Sequence, residues 1–159
     1  MPFLPVLPVF DKSVRGLCVC CYEGHPKGCP NFNHADRCPP KAPMLPEVFD
    51  MSGPFFAIYS RFPLGEHVEA MRQAHPNWSY RQLSCVLYWQ GTARKKLKAE
   101  ITAFKVANPG KWLIETTPEA FGLNVTETMK RIGIDLPWPA REFVYHVALA
   151  GFAASVSTG

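Results

Sequence analysis

The 159-residue chain has no run of about 18 apolar residues, so no membrane-spanning helix is expected. Its opening, MPFLPVLPVFDK, is apolar but has no basic leading region, and prolines interrupt it. That argues against a signal peptide and sets a cytoplasmic, reducing compartment as the expectation, where paired cystines are rare. Charge of one sign is in small excess: the net charge of +4 suits an acidic partner without marking a nucleic-acid binder. A glycine-rich phosphate loop, a nucleophile elbow and an HExxH helix are all missing, which removes the reactions those motifs support. Glu66, Glu69 and Glu100 show no paired-carboxylate arrangement. His146, in an apolar run, reads as a core histidine.

What the chain does have is proline and cysteine. Sixteen prolines crowd toward the first 63 residues, which predicts loops, turns and short strands there. Pro2, Pro5 and Pro8 predict an extended, polyproline-like arm over residues 1–15. Residues 16–159 read as a single metal-binding domain, with a cysteine loop over 16–46. The apolar run GPFFAIYSRF predicts a buried strand, LGEHVEAMRQAH a short helix stopped by Pro76, and KWLIET a second strand. Ser79 and Gln82 form a capping box. From there to about Val106 a continuous helix is expected, with Leu83, Val86, Leu87, Leu97, Ile101 and Phe104 on one stripe. TPEAFG and the Asn124-capped NVTETMKRIG predict two further short helices, and REFVYHVALAGF a central strand. Alternating strands and helices after residue 50 imply an α/β fold, with α+β as the alternative: a small three- to four-stranded sheet carrying the N-terminal cysteine-rich loop.

Five of the six cysteines fall within GLCVCCYEGHPKGCPNFNHADRCPP. Thiolates crowded in one loop can enclose a soft or borderline metal. The order is Cys18-x-Cys20-Cys21, seven residues, Cys29, eight residues, Cys38. A zinc ribbon fits poorly because no second close pair follows downstream, although His25 and His34 offer nitrogen. Cys29-Pro30 and Cys38-Pro39-Pro40 suit an iron–sulfur loop, where proline often follows a ligating cysteine. Cys20 and Cys21 diverge in extended backbone, so both are not expected on one metal. On the projected helix Cys85 lies about 200° from Leu83, well off the apolar stripe, and becomes the candidate ligand from outside the loop.

Two stretches carry a resemblance. CPPKAPMLPEVF with the following strand resembles the Cys-Pro-Pro segment of an uncharacterised family described as predicted metal-binding proteins. TPEAFGLNVTETMKRIGIDL is similar to that family's closing turn and short helix. The resemblance implies metal binding through Cys29 and Cys38, with Cys18, Cys20 or Cys21 upstream. Members often carry a second cysteine-rich group mid-chain. Here that region holds Cys85 alone, which implies one centre.

The reading is a protein that binds one iron–sulfur cluster, [4Fe–4S] first, for electron transfer, sensing or structure, with a protein redox partner. The alternative is a Zn2+-stapled binding module. Its basic run Arg94, Lys95, Lys96 and Lys98, flanked by Trp78, Tyr80, Tyr88 and Trp89, would contact nucleic acid or an acidic protein. Nothing assigns the chain a reaction of its own. Enzymatic use of an open cluster site or spare thiolate rests only on the surplus cysteines.

Overall fold

The computed structural model describes residues 2–19, 36, 38–137 and 139–155, with the side chains of 17–19 left aside. The aromatic and β-branched run forms strand β2, Phe56–Phe62, and the C-terminal apolar run forms β4, Val144–Gly151. They pair antiparallel along all of β2, from Phe56 opposite Ala150 to Phe62 opposite Val144. β3, Leu113–Glu115, takes the far edge of β4, and β1, Phe3–Pro5, takes the near edge of β2. The order is β1-β2-β4-β3, with every pair antiparallel. Five helices among the described residues complete a small α/β fold.

The proline-rich segment supplies the fourth strand of that sheet. Pro5, which has no N–H to donate, sits on an edge strand, where proline is tolerated. Beyond β1 the chain is sewn to residues 122–128. The Val9 N–H donates to Thr128 Oγ1 at 3.0 Å, Asp11 N–H to the Gly122 carbonyl at 2.7 Å, and Asn124 N–H to the Val9 carbonyl at 2.8 Å.

Strand alternation gives the sheet two distinct faces. On one, Ala57, Val147 and Leu149 pack with Ala42, Leu45, Phe49, Leu123 and Met129. That layer is built from helix α1, Leu45–Val48, helix α5, Val125–Lys130, and a 3-10 turn at Pro118–Phe121. On the other face, Ile58, Ala148 and Ala150 pack under the long helix α4, Gln90–Ala107, through Leu97 and Phe104. Phe104 meets Phe3, Phe56 and Trp112 with ring centroids 5.2–5.4 Å apart. Toward the Phe62 end, helix α2, Leu64–Ala74, adds Leu64 and Val68, and Phe62 stacks on Trp89 at 5.0 Å.

The continuous helix expected over 79–106 is broken. The Ser79–Gln82 box forms and starts α3, Tyr80–Leu83, but this helix ends after one turn. Ser84 Oγ donates back to the Tyr80 carbonyl at 2.8 Å, a bond that competes with helix propagation. The Trp89 indole N–H donates to the Ser84 carbonyl at 3.1 Å, and its ring enters the core. Trp89 thus takes the buried place expected for Val86 and Leu87, which are 46% and 84% exposed.

Candidate metal centre

Two cysteines lie fully within the described residues, Cys38 and Cys85; both are half-buried free thiols. Cys18 is described only by its backbone, in the 3-10 helix Lys12–Val19. Cys20, Cys21 and Cys29, with His25 and His34, lie outside the described residues.

The two ends of the cysteine segment meet at Arg15. Its Nη2 donates to the Pro40 carbonyl at 3.1 Å and the Ala42 carbonyl at 2.7 Å, and its Nη1 lies 3.0 Å from Met44 Sδ. Arg15 precedes Cys18 by three residues, while Pro40 and Ala42 follow Cys38 by two and four. The guanidinium therefore fastens the start of the segment to its end. Ala42 N–H donates to the Cys38 carbonyl at 3.0 Å, closing the turn after Cys38, and Ala42 and Leu45 anchor that turn in the core. Arg15 Nε is buried and has no hydrogen-bond partner among the described residues. A buried N–H at this neck can serve a sulfur acceptor, one of the contacts that tune thiolate-held clusters.

Cys85 does not join this group. The projection that turned it toward a second layer assumed an unbroken helix; the residue instead occupies the break after α3, with extended backbone at φ −57° and ψ 124°. Its neighbours Leu83 and Trp89 pack with Phe62 and Val144, on the α4 face at one end of β2 and β4. The turn after Cys38 packs on the opposite face. It leads through α1 to Phe49, which bridges to Ala153 beyond the other end of β4. The neighbours of Cys85 and the turn after Cys38 thus pack against opposite faces of the sheet. Among the described residues, no three His, Cys, Asp or Glu side chains form a metal-binding group.

Two residues separate Cys18 from Cys21, the CxxC spacing that zinc and iron–sulfur sites both use. It favours Cys21 over Cys20 as the companion of Cys18.

The basic run is divided rather than gathered. Positions 94 and 96 are about 200° apart around a helix, so Arg94 and Lys96 leave α4 on opposite flanks. Lys96 Nζ reaches the Arg61 carbonyl at 3.4 Å, whereas Arg94 lies near His146 and lowers its pKa, second to burial. Lys95 and Lys98 are exposed. The aromatic group around Cys85 is more coherent. His75 stacks on Trp78 at 3.7 Å, Trp78 on Tyr88 at 5.7 Å, and Trp78, Arg81, Gln82, Cys85 and Tyr88 line a hollow of about 240 Å³.

No family model, curated protein or solved structure matches this chain. No helix among the described residues is long and apolar enough to cross a membrane.

Proposed function

We propose that the chain is a metal-binding protein whose cysteine segment, Cys18 to Cys38, holds a single thiolate-ligated centre, a [4Fe–4S] cluster in the first reading. The observation that carries this is Arg15, which fastens both ends of the segment and keeps a buried, unpartnered N–H at its neck. The ligands assigned are Cys18, Cys21, Cys29 and Cys38, with Cys20 spare and Cys85 outside the set. The likeness of CPPKAPMLPEVF to a predicted metal-binding family supports Cys29 and Cys38, with Cys18, Cys20 or Cys21 upstream. A bound cluster of this kind supplies one-electron redox chemistry at a potential set by hydrogen bonds to sulfur and by exposure. The chain's own part is to hold the thiolates, close the loop and direct the Arg15 N–H inward.

Anaerobic purification tests the reading. The expected protein is brown, absorbs broadly near about 400 nm and carries about four iron and four sulfide per chain. Single Cys→Ser changes at 18, 21, 29 and 38 lower the iron content, and Cys85→Ser leaves it unchanged. A colourless anaerobic protein with stoichiometric zinc overturns the cluster.

A second reading draws on the stack of half-buried His75 and Trp78 with exposed Tyr88, beside Arg81. There the centre is structural zinc, and the rings receive the bases of single-stranded nucleic acid. Salt-dependent oligonucleotide binding abolished by Trp78→Ala supports it; absent or salt-independent binding removes it.

A further inference from the structure

At the open end of β2 lies a cavity of about 530 Å³, within the usual size range of small-molecule sites. It exists because β1 is short. Among the described residues, β1 covers β2 from Phe56 to Ile58, and beyond it Tyr59 N–H donates to the Pro2 carbonyl. Past that point the edge of β2 at Tyr59, Ser60 and Arg61 faces the hollow. The cavity draws walls from both faces of the sheet, around the edge of β2: Tyr59, Arg61 and Tyr145 from one, Lys96, Ala99 and Glu100 of α4 from the other.

Its charge is unbalanced. Arg61 and Lys96 are two cations against one acid, Glu100. Neither cation forms an ion pair among the described residues. Each rests on an aromatic face instead: the Arg61 guanidinium lies 4.1 Å from the Phe143 ring centroid, and Lys96 Nζ lies 5.9 Å from that of Phe62. Lys96 and Glu100 sit one turn apart in the lysine-first order, which pairs less well than the reverse. Ser60, only 8% exposed, also lines the hollow. Ile134 adds apolar surface on the side of Tyr59, and Ala99 adds it on the α4 side.

We infer that this cavity binds a small organic anion: a carboxylate or phosphate-ester head held between Lys96 and Arg61, with an apolar body against the tyrosines and Ile134. Charge-assisted bonds to the head give the affinity, and the apolar lining receives the body. The site lies on the α4 flank away from Arg94 and is independent of the metal reading.

Calorimetric titration of the full chain with phenylacetate, phenyl phosphate, inorganic phosphate and neutral phenylacetamide tests it. The expected result is saturable one-to-one binding of a phenyl anion and none of phenylacetamide. Lys96→Ala is expected to weaken binding about tenfold or more, and Lys96→Arg to retain it. A preference for phenylacetate or for phenyl phosphate tells which head the site takes. Equal binding of phenylacetamide overturns the inference. So do inorganic phosphate binding as tightly as phenyl phosphate, absence of saturable binding by any probe, or unchanged affinity in both Lys96→Ala and Arg61→Ala. Both side chains are exposed, and matching circular dichroism and melting curves confirm that the variants fold.

Discussion

The two faces of the sheet are built on different plans. On the α4 face one 18-residue helix and a ring cluster, Phe3, Phe56, Phe104 and Trp112, make the layer from few, large pieces. On the other face the layer is assembled from short pieces far apart in sequence: the N-terminal arm, the turn after Cys38, α1 and α5. Its joints are hydrogen bonds between distant segments, such as Val9 to Thr128 and Arg15 to Ala42. The first plan concentrates stability in single side chains, while the second spreads it over joints. The candidate centre belongs to the second plan.

Truncating the ring at the centre of the first face gives the largest expected effect. Phe104 is fully buried, so Phe104→Ala is expected to lower unfolding free energy by about 3–5 kcal/mol in urea denaturation. A loss under about 1 kcal/mol would show that the α4 face does not depend on that ring. Gly122→Ala probes a joint on the other face. Gly122 has φ +95°, and an added Cβ would stand 2.7 Å from Phe10 Cε2. The left-handed backbone alone makes this change cost about 1–2 kcal/mol. Phe10 is partly exposed, so its ring can yield. The same denaturation curves read it, and an unchanged midpoint would show that the arm is not held at this turn.

The smallest effect sharpens the comparison through pH. Burial lowers the pKa of His67, and burial followed by the Arg94 charge lowers that of His146; both are on the α4 side. Their buried nitrogens, His67 Nε2 and His146 Nδ1, lack partners among the described residues. A depressed histidine pKa favours the neutral folded form. Stability from these groups is therefore full above the ordinary value near about 6.5 and declines as pH falls below it. Melting temperatures between pH 8 and pH 5 should fall less steeply in the His67→Phe, His146→Phe double variant. An identical slope would remove the histidines as the cause.

Much of the sheet was legible in the sequence. β2 and β4 announce themselves as apolar, β-branched runs bounded by Gly-Pro, Pro63 and turn residues, and the Ser79 and Asn124 caps form as read. The break at Cys85 was hidden because Val86 and Leu87 keep the helical period in letters. What overrides it is tertiary: Trp89 inserts beside Phe62, and Ser84 bonds backward. The role of Pro5 on a sheet edge was equally hidden, since nothing local says that residues 3–5 find a partner 50 residues away. At the candidate centre, the Cys-Pro steps are visible in sequence. The Arg15 clasp is not, because it joins residues 25 and 27 positions apart.

The strand order also sets a timetable. β2 receives its long central partner, β4, only after the chain has run from Phe62 to Val144. During synthesis from the N-terminus, β2 has only the short β1 beside it while α2, α3 and α4 are made. One side of an apolar strand thus stays unpaired over that interval, and closing so long a loop is entropically slow. α4 can cover one face of β2 early through Leu97 and Phe104. The open edge has no such cover, which makes it the place where a nascent chain is most exposed to pairing with a neighbour.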